Sequence, residues 1–257
     1  MGVLKKISVI AFAVLMNIYS YAEAKTIEFS ADAVITVPRQ PIREMKLFVG
    51  EKAVRREMSV NGQNFIEIVS TDGGRSLLIN EDMKSYRETK YSVQNDMKES
   101  NTPCDQIANA VCEKLGEEAI DGYTTEKWQI ISDGRSGKLR TLHWIDVKRK
   151  LALREFFPDG SVAELKMLGT EKINGRNTEK WQRTMSRPDG QSVKSYQWYD
   201  TGLKIAIREE LPGGYVRELK NIKISSQPGK LFSLPEGFTK IEGQNAVPAA
   251  NPVTRWQ

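Results

Sequence analysis

The sequence predicts an all-β, mainly antiparallel protein, and three observations carry that prediction. Apolar and polar residues alternate along a series of short runs. Asn-Gly, Asp-Gly and Gly-Glu pairs punctuate those runs, as hairpins require. A stretch of about five such runs is present twice.

The first 24 residues read as an export signal. Lys5 and Lys6 precede the apolar run from Ile7 to Met16, and Ala22-Glu23-Ala24 closes it before Lys25, with cleavage expected after Ala24. The run is shorter than the ~20 residues that span a bilayer, and no lipobox-type cysteine follows it. A free periplasmic protein is therefore expected, with residues 25–240 as one β domain and 241–257 as a disordered tail poor in large apolar residues. The full chain carries a formal charge of +5, and loss of Lys5, Lys6 and Glu23 leaves +4. Basic residues alternate with acidic ones, as in Arg154-Glu155, Arg208-Glu209 and Arg217-Glu218, so nothing marks a nucleic-acid footprint.

From Thr26 the strands follow in order. Ile27, Phe29, Ala31, Ala33, Ile35 and Val37 share one face of a long strand that Pro38 to Pro41 interrupts. MKLFVG, KAVRREMSV, NFIEIVS, RSLLIN and KSYRET come next, divided by Gly50-Glu51, Asn61-Gly62 and Asp72-Gly73-Gly74, whose residues accept the positive φ of primed turns. Residues 92–114 lose the alternation and hold the best helix candidates of the mature chain.

The doubled stretch comes next. Leu115–Gln129 and Leu168–Gln182 are identical at 10 of 15 positions, and Leu151–Lys166 and Ile205–Lys220 at 9 of 16. The units are read as 115–167 and 168–224. Each carries a turn (Asp121-Gly122 or Asn174-Gly175), a strand with Trp128 or Trp181, a loop with Asp133-Gly134 or Asp189-Gly190, and a strand with Trp144 or Trp198. Each ends with a strand closing in Arg-Glu and one closing in Glu-Leu-Lys. Turn glycines and one large aromatic per strand are architecture, so the repeated TEKWQ is expected to be scaffold. Beyond Lys223, SSQPGKLFSLPEGFTKI holds a short apolar piece (Leu231, Phe232, Leu234) and a Pro-Glu-Gly turn.

Cys104 and Cys112 are the two cysteines. Export favours a disulfide. On an uninterrupted helix, however, eight residues rise about 12 Å, beyond the roughly 4.4–6.8 Å that a disulfide spans between Cα atoms. Either the segment folds back and the cysteines pair, or Thr102-Pro103 starts a helix that Gly116 stops and they stay reduced.

Chemistry-bearing motifs are scarce. The single histidine, His143, has Gln197 as its counterpart in the second copy, and Glu126 and Glu179 lack a second carboxylate or His at fixed spacing. One His and two Cys cannot form a four-ligand zinc site, and the DxDxDG, GxGxxG, GxxxxGK[ST] and GxSxG patterns are absent. Neither an enzyme nor a cofactor is expected. A hydrolase would need His143 to meet a carboxylate and a hydroxyl in one cleft.

Some fourteen to sixteen strands exceed what a twisted open sheet holds, so the sheet is expected to curl around a concave apolar surface. Leu47, Val54, Arg56, Met58, Ile66, Ile68 and Leu78 are the candidate lining for a hydrophobic ligand, with 92–114 as lid. Alternation puts Arg56 on the face of Val54, Met58 and Val60, so it either meets a partner there or snorkels out.

FSADAVITV, MKLFVGEKAVRREM and LLINEDMKSYRE resemble the opening strands of the periplasmic lipoprotein-carrier (LolA/LolB-like) superfamily. LGTEKINGRNTEKWQ, Trp198 and the stretch from Ile207 to the FSLPEGF turn are similar to the closing strands of its exported relatives. The resemblance covers residues 26–241. It implies an incomplete β-barrel with a short helical lid, shielding lipid or lipoprotein acyl chains in transit. A sensor-type module acting on an envelope membrane protein is the other role it implies.

Overall fold

The computed structural model describes residues 27–71, 74–90, 102–104, 109–134 and 137–242. The export signal expected at 1–24 and the tail beyond 242 lie outside the described residues. The first meander comprises β1 (Phe29–Thr36), β2 (Arg43–Val49), β3 (Ala53–Val60), β4 (Gln63–Ser70), β5 (Arg75–Asn80) and β6 (Ser85–Lys90). The second comprises β7 (Val111–Ile120), β8 (Tyr123–Gly134), β9 (Gly137–Asp146), β10 (Ala152–Phe156), β11 (Val162–Ile173), β12 (Arg176–Ser186), β13 (Ser192–Asp200), β14 (Ile205–Leu211) and β15 (Tyr215–Ile224). A 3-10 turn at Gly229–Phe232 and β16 (Thr239–Lys240) follow.

All sixteen strands belong to one sheet, ordered β16-β6-β5-β4-β3-β2-β1-β15-β14-β13-β12-β11-β10-β9-β8-β7. The meanders meet where β1 pairs antiparallel with β15, and β16 pairs in parallel with β6. Both duplicated units thus lie in one sheet. The two-residue turns follow the expected chemistry: Asn61-Gly62, Asp121-Gly122 and Asn174-Gly175 all have positive φ at both positions. The strand that ends the first unit runs on without a turn into the strand that starts the second, so the two are the single strand β11, bulged between Met167 and Gly169. The matching bulge lies between Lys114 and Gly116 in β7. Gly116 and Gly169 both take φ of 143°, a backbone conformation that glycine alone adopts without strain.

The sheet is open and curled. Fourteen inter-strand spacings separate β6 from β7, which is about 67 Å in a flat sheet. Cys104 is bonded to Cys112 of β7 with the Cα atoms 5.7 Å apart. The fourteen peptide units from Lys90 to Cys104 reach at most about 50 Å, so the two ends of the sheet must approach one another.

The direction of the curl follows from two hairpin tips. Ile120 and Tyr123, at the β7–β8 turn, pack on Leu153, Leu165 and Trp181 of β10, β11 and β12. Ile173, at the β11–β12 turn, packs in the cluster of Phe29, Ala31, Ala33, Leu47, Leu203, Ile207 and Leu219, and Asn174 Nδ2 donates to the Leu219 carbonyl at 2.9 Å. Both tips fold over the same side, which is the inner face. On the outer face, Ile66, Ile68, Leu77 and Ile79 are covered by Phe232, Leu234 and Phe238. Gly50 permits that cover, because a Cβ there would stand 2.6 Å from the Phe232 ring.

The lid segment differs from expectation where it is described. Residues 102–104 form a turn and Val111–Lys114 already belong to β7. The disulfide brings Cys104 back onto the strand, which a continuous helix forbids. The cysteines therefore pair, and Gly116 is a bulge glycine, not a helix stop. Residues 92–101 and 105–108, where the rest of the helical lid was expected, lie outside the described residues.

Candidate functional site on the inner face

Strand register sorts the candidate lining. Leu47 of β2 opposes Arg56 of β3, which opposes Glu67 of β4, which opposes Leu78 of β5. Val54 and Met58 flank Arg56 on the same side and oppose Val69 and Phe65. Five of the seven candidates thus share the inner face: Leu47, Val54, Arg56, Met58 and Leu78. Ile66 and Ile68 do not. They alternate with Glu67, point outward, and are 1% and 3% exposed beneath the C-terminal segment. Both faces of β4 are apolar, which is why the sequence pattern misplaced them. Of the inner five, Leu47 is fully buried in the β1–β15 core; Val54, Arg56, Met58 and Leu78 remain half-buried, as does Val69.

Arg56 neither snorkels nor meets a helix end. It stays on the inner face with its side chain 13% exposed, and Nη1 donates to Glu67 Oε2 at 2.6 Å. Its neighbour Arg55 points outward, pairs with Glu57 at 2.7 Å and donates to the Leu231 carbonyl at 2.9 Å, fastening the C-terminal segment.

The doubled phrase is scaffold in atomic detail. Thr125 Oγ1 donates to the Glu118 carbonyl and Thr178 Oγ1 to the Glu171 carbonyl, each at 2.8 Å. The indole of Trp144 donates to Glu118, and that of Trp198 to Glu171 at 2.7 Å. Trp128 and Trp181 donate to Glu126 and Glu179. Lys127 lies over Trp144 at 4.7 Å and Lys180 over Trp198 at 4.9 Å. Glu126 and Glu179, the glutamates of the phrase, hold indoles.

The Arg-Glu dipeptide that closes β10 and β14 supplies residues the sequence reading missed. Strand alternation sends its two members to opposite faces. Outward, Arg154 pairs with Glu164 and Arg208 with Glu218. Inward, Glu155 pairs with Arg183 at 2.7 Å and Glu209 with Arg217. The inner face therefore carries three Arg–Glu pairs, together with Arg87, His143 and Gln197, among its apolar residues, not grease alone. The signal was legible in one respect: a solvent-facing Arg154 forces Glu155 inward.

His143 stands beside one of these pairs. Its Nδ1 is 3.5 Å from Glu155 and its Nε2 is 2.9 Å from Thr141 Oγ1. A carboxylate and a hydroxyl are thus within reach, but the imidazole is poorly suited to take a proton. Burial pushes its pKa below the ordinary value; Glu155 opposes that shift and Arg183 adds to it. Glu155 is itself paired with Arg183, and burial outweighs its pull on the imidazole. Among the described residues no group of three or more His, Cys, Asp or Glu could hold a metal ion, and no helix is long and apolar enough to cross a membrane.

With this geometry in view, the chain can be set beside known proteins. A profile for a domain of unknown function, DUF4412, matches residues 33–145, under half of the chain. No curated protein matches the sequence. Among solved structures the chain is similar to a LolA superfamily protein from Nitrosomonas europaea, at 12% identity over 81% of this chain and 90% of that one, TM-score 0.35. It is also similar to a putative outer membrane lipoprotein-sorting protein domain from Vibrio parahaemolyticus, at 11% identity over 81% and 90%, TM-score 0.34. A hypothetical lipoprotein from Escherichia coli matches at 9% identity over 79% and 87%, TM-score 0.29. The superfamily that the sequence resembles is among the matches. At TM-scores below 0.5, none of these likenesses bears on what the chain does.

Proposed function

We propose that this chain is an exported, non-enzymatic binding protein of the periplasm that holds a hydrophobic ligand, such as the acyl chains of a lipid or lipoprotein, on its inner face. One observation carries the reading. The outer face of β4 and β5, Ile66, Ile68, Leu77 and Ile79, is buried by Phe232, Leu234 and Phe238, while on the inner face of β3–β5 Val54, Met58, Val69 and Leu78 stay half-exposed around the Arg56–Glu67 pair. A curled sheet with a partly open apolar lining suits a chain-like guest, and removing that lining from water contributes about 25 cal/mol per Å² covered. The disulfide and the N-terminal leader pattern support an oxidising, exported setting. Native mass spectrometry of protein purified from the periplasm tests this: a co-purifying species with the mass of a lipid is expected. Ligand-free protein that also takes up no lipid from vesicles would contradict it.

A further inference from the structure

The row Arg56, Glu67, Leu78, Arg87 runs straight across the inner face of β3, β4, β5 and β6, each residue opposite the next. It crosses the half-open lining of Val54, Met58 and Val69. The Arg56 side chain is 13% exposed and its carboxylate partner 29% exposed. Glu67 engages the guanidinium through Nη1, whereas Nε is buried and has no hydrogen-bond partner. A guanidinium offers a fork of five donors, and a buried donor without an acceptor is unfavourable. The other two inner pairs are more closed: Glu155 with Arg183 is 14% and 15% exposed, and Glu209 with Arg217 is 21% and 7% exposed. Of the three carboxylates, Glu67 is the most exposed and so the readiest to turn aside.

We propose that the guest of this face is an amphiphile with an anionic end, and that Arg56 receives that end at its Nε side while the chain lies over Val54, Met58, Val69 and Leu78. This rests on the binding reading above and adds the chemistry of the head group. The anion supplies the acceptor that Nε lacks, and Arg56, planar and permanently charged, can hold either a carboxylate or a phosphate.

The test is displacement of N-phenyl-naphthylamine from the full chain by laurate, dodecyl phosphate and dodecanol, which share one chain and differ in the head. The anionic ligands are expected to displace the dye at about tenfold lower concentration than dodecanol. That ratio should fall to about one in Arg56→Met and rise in Glu67→Gln, with both variants checked for a wild-type circular dichroism spectrum. A second variant of opposite expected sign keeps the outcome readable if the first folds poorly. Preference for dodecyl phosphate over laurate would point to a phosphate head, and the reverse to a free carboxylate; either supports the proposal. Equal displacement by all three ligands, unchanged in Glu67→Gln, overturns the head-group assignment and leaves hydrophobic binding standing. Failure of the protein to take up the dye or any of the three overturns both.

Discussion

Glu155 and Glu209 occupy equivalent places in the two copies and face the same inner surface, yet Glu155 is held by Arg183 from β12, two strands away, and Glu209 by Arg217 from the adjacent β15. Duplication kept the carboxylates, while the compensating arginines arise from positions the copies do not share: Arg217 stands where the first copy has Ala163, and Arg183 where it has Ile130. Breaking a mostly buried pair strands a charge. Arg183→Met is expected to destabilise the fold by about 3 kcal/mol, and Glu155→Gln with Arg183→Met together by less than the sum of the two alone. Urea unfolding of the double-mutant cycle measures this, and additive effects would show that the pair does not couple.

The threonines of the doubled phrase should behave as twins. Thr125 and Thr178 are 0% and 2% exposed and make the same side-chain bond to a carbonyl at 2.8 Å. Thr125→Val and Thr178→Val are each expected to cost about 1 kcal/mol and to add when combined, since they sit in different units. Equal midpoint shifts in chemical denaturation are the expected result.

His143 gives the fold a pH dependence of definite sign. Burial lowers its pKa from the ordinary 6.5, so the unfolded chain takes up the proton more readily than the folded one. Its contribution is fully present above about pH 6.5 and is lost as the pH falls through that value toward the lower folded pKa. Thr141, Glu155 and Arg183 surround the ring. His143→Gln, which installs the residue found at the matching Gln197, should flatten stability between about pH 7.5 and about pH 5.5. Urea midpoints at the two values decide it.

The disulfide closes a short loop, at a sequence separation of 8. Reduction, or Cys104→Ser with Cys112→Ser, is expected to lower stability by about 2.5 kcal/mol through the entropy of the unfolded chain. It also lengthens the tether between the two ends of the sheet, because the link then runs from Lys90 to β7 without a staple. A fall in melting temperature accompanied by an increased radius of gyration in small-angle scattering is the expected outcome.

Much of this fold was legible in the residues. The alternation from Phe29 to Ile35 and the Asn-Gly and Asp-Gly turns foretold the hairpins, since side-chain period and turn torsions are local properties. What the pattern could not disclose was which apolar face of β4 turns inward. Phe65, Ile66, Ile68 and Val69 read alike from the chain, and the decision comes from Phe232, Leu234 and Phe238, far along the sequence. The glutamate partners of Arg56, Arg183 and Arg217 were hidden for a similar reason: cross-strand register, not local spacing, brings them together. The disulfide resolved an ambiguity that helix propensity left open, because Cys112 lies on a strand and Cys104 folds back onto it.

The most direct measurement of the central claim is photo-crosslinking in the periplasm from two adjacent positions of β3. Met58 faces inward and is half-buried; Ser59 faces outward and is exposed. With a photoreactive side chain at each in turn, the inner-face account predicts an acyl-bearing adduct from position 58 and none from position 59. Adducts of equal yield from both positions, or from 59 alone, would contradict it.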